Sequence, residues 1–295
     1  MADIYLNGRF VPERHARISV LDRAVQLGDG LFETIRGHSG RPAFLKEHLE
    51  RIRHSASFLK IPFRHTDDEL RAIMIELCRR NGASEARIRL TLTRGVLPDT
   101  LSIAAGKPAL IATAEPYTPH PPRKYEEGCS LSVSTTRLCS RSPLCLHKTL
   151  NYLEFLLARE EAARAGADEA LLLNEKDNVA ECSSANIFCV KRGEILTPDI
   201  ASGILPGVVR AAAIRLSAAE GLRVGEAPLA LEELLQAQEV FITSSLRGIM
   251  PVGRIGDKAF GLERPLTRLL SRRYAETLDA QCRDGLPGGH GSAPA

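Results

Sequence analysis

Nowhere does this chain carry an apolar run approaching the roughly 18 residues of a membrane span, so no spanning helix is expected. Metal-type cysteine pairs are missing as well. Its seven cysteines (Cys78, Cys129, Cys139, Cys145, Cys182, Cys189 and Cys282) form no CxxC or CxxxC pair, and their number is odd. Neither a zinc site nor a disulfide framework is therefore expected, and a reducing cytoplasm fits. The start, MADIYLNGRF, lacks a basic segment followed by an apolar core, which argues against a signal peptide. An excess of one charge is lacking too: 39 basic against 36 acidic residues leave a net charge of +3, with the signs interleaved. That balance argues against nucleic acid as a partner. There is no internal repeat. Strands and helices mix without the regular βαβ alternation of a doubly wound sheet. What remains is 295 residues with 44% apolar and 25% charged content, ordinary for a soluble globular protein of one large domain or two.

The pattern along the chain predicts an α+β protein in two domains, with the active site in the cleft between them. IYLNGRFV reads as a hairpin turning at Asn7-Gly8. Leu45, Leu49, Ile52, Ala56 and Leu59 step by four and three, which makes an amphipathic helix ended by Pro62. Thr66-x-x-Glu69 is a capping box opening a second helix, with Gly82 after it. ARIRLTLTRG and KPALIATAEPY read as strands. Residues 1–115 form the expected small N-terminal domain, and the Pro-rich 116–128 the linker. A larger domain follows over 129–282. It holds the strands CSLSVSTTRL, DEALLLN, NIFCVKRG and EVFITSS, with helices over 149–165, 207–219 and 265–278. The Gly/Pro/Ala-rich residues 283–295 read as a disordered tail.

Chemistry concentrates between His147 and Phe188. Lys148 lies among Leu144, Leu146 and Leu150, which suits the partial burial that lowers a lysine pKa and frees its amine. On local sequence alone, a surface lysine opening a helix fits better. Tyr152 follows one helical turn later. Glu181 precedes a small-residue stretch, Cys182 to Asn186. Arg51 sits in HLER, and Gly207 opens a helix in GILPGVVR, where backbone amides suit an anion.

Taken together, KTLNYLEFLLAREEA, VAECSSANIF, HLER, GILPGVVR and GDGLFE resemble the fold-type IV pyridoxal phosphate (PLP) enzymes over nearly the whole chain. That family, D-amino acid aminotransferase-like in fold, holds branched-chain and D-amino acid aminotransferases and aminodeoxychorismate lyase. The resemblance implies PLP bound in the cleft between two domains. Lys148 would be the Schiff-base lysine and proton-transfer base, and Glu181 the partner of the pyridine nitrogen, which makes the ring an electron sink. Tyr152 would reach the ring oxygen. Arg51, the amides at Val208 and Val209, and Ser245 would hold the phosphate. Where the family often has a threonine, Val209 offers only its backbone NH. The resemblance also implies a homodimer acting on a small-molecule substrate.

Within the family, the wording leans to 4-amino-4-deoxychorismate lyase, forming p-aminobenzoate and pyruvate for folate synthesis. LDRAVQLGDG (Leu21 to Gly30) is close to the lyase's SDRATQFGDG, and SSLRGIMPV (Ser244 to Val252) resembles the lyase where transaminases have Thr-Ala-Ala-Glu. ECxxAN at Glu181 also occurs in lyases. Arg89 and Arg247 are the candidates for binding the dicarboxylate substrate. The alternative is an aminotransferase, either of branched-chain amino acids with 2-oxoglutarate or, with less support, of D-amino acids.

Overall fold

The computed structural model describes residues 2–98, 102–104 and 106–283. Helices and strands are mixed along the chain, and the strands form two sheets. The first sheet is built from β1 (Asp3–Leu6), β2 (Arg9–Pro12), β3 (Gly30–His38), β4 (Arg41–Pro42), β5 (Ala86–Thr93) and β6 (Leu110–Pro116), ordered β2-β1-β6-β5-β3-β4. The second holds β7 (Cys129–Leu138), β8 (Glu169–Asn174), β9 (Asn178–Cys182), β10 (Asn186–Lys191), β11 (Glu194–Thr197), β12 (Val224–Glu226), β13 (Leu229–Ala230), β14 (Glu239–Ser244), β15 (Gly248–Ile255) and β16 (Lys258–Ala259). Its order is β12-β11-β10-β14-β15-β7-β8-β9-β13, with β16 paired to β15. The helices are α1 (Arg23–Leu27), α2 (Leu45–Phe58), α3 (Asp67–Arg80), α4 (Pro122–Glu127), α5 (Leu153–Arg164), α6 (Val208–Ala219), α7 (Leu231–Leu235) and α8 (Pro265–Arg283).

Alternation along β3 decides where its side chains go. Leu31 and Ile35 join the core formed with Leu49 and Ile52 of α2 and Leu70, Met74 and Leu77 of α3. Glu33 lies on that same face and is fully buried. Phe32 and Thr34, on the other face, line a cleft. In the second sheet β8 is buried along its whole length. Leu171 and Leu173 pack on one side with Val252 and Ile242, while Ala170 and Leu172 pack on the other against Ala158 and Ala162 of α5. A strand covered on both faces needs a continuous apolar run, and this explains ALLL. Each fully buried leucine contributes about 1.5–3 kcal/mol.

The capping box forms as expected, with Thr66 and Glu69 bonding reciprocally. Elsewhere the structure differs from the sequence reading. The helix expected from Thr149 starts only at Leu153, with Tyr152 as its N-cap. Residues before it are extended because they pair with β3: Phe32 N donates to Lys148 O at 2.9 Å and Leu150 N to Gly30 O at 3.0 Å. Lys148 and Tyr152 thus do not share a helix face. The Pro-rich 116–128 segment contains α4, for which Pro122 supplies a preset φ at the first turn. Glu181 stands on β9 and Ser244 leads through a turn into β15, two strands absent from the sequence reading. Helix α8 runs on to Arg283, and residues 284–295 of the expected tail lie outside the described residues. All seven cysteines are free thiols. No helix among the described residues is long and apolar enough to cross a membrane.

Candidate active site

A cleft of about 990 Å³ opens between the two sheets, and Lys148, Glu181, Arg51, Tyr152, Val209 and Ser245 all line it. Arg89 and Arg247 line it too, whereas the side chain of Val208 is buried beside it. Residues scattered over some two hundred positions of sequence therefore meet at one place.

Lys148 points its Nζ to within 4.5 Å of the Phe32 ring centre and 5.3 Å of the Tyr152 ring centre. Those rings meet edge to face at 5.4 Å. Burial, aided by the nearby Arg51 charge, lowers the Lys148 pKa to about 8. An amine so tuned exists partly neutral near physiological pH, which a nucleophilic lysine requires.

Glu181 is buried on β9, where it accepts from Leu205 N at 3.1 Å and Asn186 Nδ2 at 3.2 Å. Burial raises its pKa to about 8, against the opposing pull of the Leu205 NH and Lys148. A carboxyl held this way keeps a proton ready for, or shared with, a basic nitrogen placed against it.

Arg51 and His48 are three residues apart on α2 and so share a face. Both meet Glu33. Arg51 donates through Nε to Oε1 at 2.8 Å and through Nη2 to Oε2 at 2.6 Å, and His48 Nδ1 lies 2.8 Å from Oε2. Burial pushes the Glu33 pKa up, but Arg51 and His48 outweigh it and hold the carboxyl at about 2. The third nitrogen, Nη1, reaches Pro206 O at 3.0 Å, which places the guanidinium beside Gly207, the N-cap of α6. There the first-turn amides of α6 lack helical partners. Ser245 Oγ lies 3.2 Å from His48 Nε2. A guanidinium, a helix N-terminus and a hydroxyl together make a donor set suited to a phosphate.

The remaining expected residues sit less simply. Tyr152 donates its hydroxyl to Ser183 O at 2.6 Å. Arg89 places its guanidinium 3.9 Å from the Phe32 ring centre. Arg247 donates Nη1 to Glu169 Oε2 at 2.8 Å and to Ser184 Oγ at 2.9 Å, and Glu169 is almost fully buried. The sequence reading places Phe32 and Glu33 only within the GDGLFE segment, and it does not single out His48 or Glu169. The His48/Arg51 spacing and the period of β3 contained the signal for Glu33. Nothing in DEALLLN marked Glu169 as a counterion.

The residues present fit PLP. The cleft has the volume, the donor set matches a phosphate, the lysine is depressed in pKa, and a buried carboxyl stands across from it. Comparison with known proteins agrees. The family described as Amino-transferase class IV matches residues 30–255. A Methanocaldococcus jannaschii protein provisionally named branched-chain-amino-acid aminotransferase is 39% identical over 277 residues, covering 92% of this chain and 95% of that one. D-alanine aminotransferase of Staphylococcus haemolyticus is 30% identical, covering 95% and 99%. Among solved structures, the T.th. branched-chain amino acid aminotransferase with pyridoxamine 5′-phosphate has a TM-score of 0.86 at 30% identity, covering 96% of each chain. A Legionella pneumophila protein provisionally named 4-amino-4-deoxychorismate lyase has a TM-score of 0.84 at 29% identity, covering 90% of this chain and 97% of that one. This chain is a PLP-dependent enzyme of fold type IV. It belongs to the class IV aminotransferase family.

Proposed function

We propose that the enzyme is an aminotransferase, moving an amino group from an amino acid with one carboxylate to a 2-oxo acid. One observation carries the choice: Arg247 is committed to the buried Glu169. Arg51 is tied to Glu33, Arg87 to Glu115 and, more loosely, Arg159 to Glu169. Among the described residues lining the cleft, Arg89 is the guanidinium left without a carboxylate partner. It stands on the Phe32 ring that also faces the Lys148 amine. One free cation next to the amine suits the α-carboxylate of an amino acid. Apolar donors of the branched-chain kind are favoured by the likeness to the Methanocaldococcus jannaschii relative.

Bound PLP supplies the electron sink for the carbanion left when substrate Cα loses a proton. The protein residues supply everything else. Arg51, the amides of Val208 and Val209, and Ser245 bind the phosphate. Glu181 holds a proton at the pyridine nitrogen. Tyr152 and Phe32 confine the Lys148 amine, which binds the cofactor and carries the proton to and from Cα. Arg89 orients the substrate carboxylate. The two sheets serve as the cores of two domains, and their separation leaves the cleft.

The second reading is 4-amino-4-deoxychorismate lyase. It is favoured by the turn Ser244 to Val252, which presents Arg247, and by the Legionella pneumophila neighbour. That substrate carries two carboxylates and would have to draw Arg247 away from Glu169. PLP-loaded protein is mixed first with L-leucine, L-glutamate or D-alanine, and loss of the visible cofactor band without added acceptor marks the transaminase half-reaction. Release of p-aminobenzoate with equimolar pyruvate from aminodeoxychorismate would instead establish the lyase and overturn the aminotransferase reading.

A homodimer is part of the proposal. Val20, Leu21, Val25 and Leu27 are exposed, as are Leu153, Leu156 and Leu157 of α5. The two groups approach where Asn151 Nδ2 donates to Gly28 O at 3.3 Å. An apolar surface of this extent suits a subunit contact. Light scattering on the purified protein should give twice 32.2 kDa, and a monomer at micromolar concentration would refute the assignment.

A further inference from the structure

The hydrogen bonds behind Arg51 place a demand on protons. Glu33 is fully buried and His48 is 1% exposed, so solvent cannot rearrange either group's partners. Glu33 is ionised across the ordinary pH range and can only accept. Nδ1 of His48, 2.8 Å from its Oε2, must therefore carry a hydrogen. The tautomer follows from the partner and leaves one variable, the state of Nε2. Nε2 lies 3.2 Å from Ser245 Oγ.

When His48 is neutral, Nε2 is bare and accepts the single hydrogen of the Ser245 hydroxyl. Ser245 then presents only lone pairs to the anion site, which repel a phosphate oxygen. When Nε2 is protonated, it donates to Ser245 Oγ. The hydroxyl hydrogen is then free to turn to the phosphate, giving a charge-assisted bond.

We propose that His48 takes up one solvent proton at Nε2 when the cofactor phosphate docks, and that this protonation switches Ser245 from acceptor to donor toward the phosphate. His48 is thus a positioning residue that acts through Ser245. The inference rests on the assignment of Arg51 and Ser245 to the phosphate. No covalent bond to the cofactor is made or broken in the step.

The groups facing His48 set its state before docking. Glu33 comes from β3, Arg51 from the same helix as His48, and Lys148 from the extended stretch beside β3. In the free protein burial holds the imidazole below its ordinary pKa; Glu33 opposes this, while Arg51 and Lys148 add to it. Docking adds a phosphate dianion, which favours the imidazolium.

The test uses pyridoxamine 5′-phosphate, which carries the phosphate but forms no imine with Lys148. Cofactor-free protein is titrated calorimetrically at pH 8 in two buffers of different ionisation enthalpy, as wild type and as His48→Gln. Wild type should take up about one more proton per molecule bound than His48→Gln. Between pH 8 and 7 its affinity should rise by about tenfold more than that of the variant. Equal uptake and parallel pH slopes would overturn the proposal. If circular dichroism shows His48→Gln unfolded, Ser245→Ala replaces it, since it keeps His48 but removes the hydroxyl. Uptake should then fall, and full uptake in Ser245→Ala would overturn the proposal. Wild type that binds no pyridoxamine 5′-phosphate would overturn the phosphate-site reading and this inference with it; binding with unaltered proton counts overturns this inference alone.

Discussion

Replacing Glu181 by Gln should stabilise the cofactor-free protein at pH 8 while weakening the loaded enzyme. Burial raises the Glu181 pKa from 4.5 to about 8. Between those values the native state binds more protons than the unfolded chain, so wild-type stability falls as pH rises through the window. At pH 7.5 the displacement of about three units corresponds to ~4 kcal/mol at most. Relaxation of a real site reduces this to about 2 kcal/mol. Gln is neutral at every pH and escapes the cost. It can still accept from Leu205 N, but its NH₂ group would face the Asn186 amide, which also holds Leu205 O at 2.9 Å. Losing that contact costs about 1 kcal/mol. The balance is a gain of about 1 kcal/mol near pH 7.5, turning to a loss of similar size at pH 4.5. Urea denaturation of both proteins at pH 4.5, 6 and 8 measures it. A difference that stays constant with pH would refute the argument, because only the titration of Glu181 makes it vary.

Three further outcomes follow from the same geometry. Glu33→Gln should cost about 3–5 kcal/mol of stability by leaving Arg51 and His48 without their shared carboxylate, and should weaken PLP binding at least tenfold, read by denaturation and absorbance titration. Gly207→Ala places a Cβ 1.9 Å from Asn186 Oδ1, so Asn186 must release Glu181 or Leu205; cofactor affinity should fall with little change in helix content. The rate at which PLP binds covalently should rise about tenfold per pH unit and level off near pH 8, because only the neutral Lys148 amine reacts and its pKa is about 8. Stopped-flow absorbance checks this, and a rate still climbing at pH 10 would contradict it.

The residues proposed to hold the cofactor stand out in the sequence because each lies in a short local string: HLER around Arg51, GILPGVVR before α6, and VAECSSANIF around Glu181. The backbone around Lys148 was not legible. KTLNYLEFLL has helical periodicity, yet pairing of residues 148–150 with β3 overrides it, a tertiary contact with a partner more than a hundred residues away. Strand β9 was missed because its run NVAEC is short and polar at the start, and its pairing with β8 is what makes it a strand. The commitment of Arg247 to Glu169 was equally hidden. Those residues are 78 apart, and their 2.8 Å contact is what favours a one-carboxylate donor in the proposed reading.

The claim on which everything else depends is that Lys148 holds PLP. Purified protein loaded with PLP is reduced with borohydride, digested, and the modified peptide identified by mass. The account predicts a phosphopyridoxyl group on Lys148 alone and no visible cofactor band in Lys148→Ala. Label on a different lysine, or a band that survives in Lys148→Ala, would contradict it.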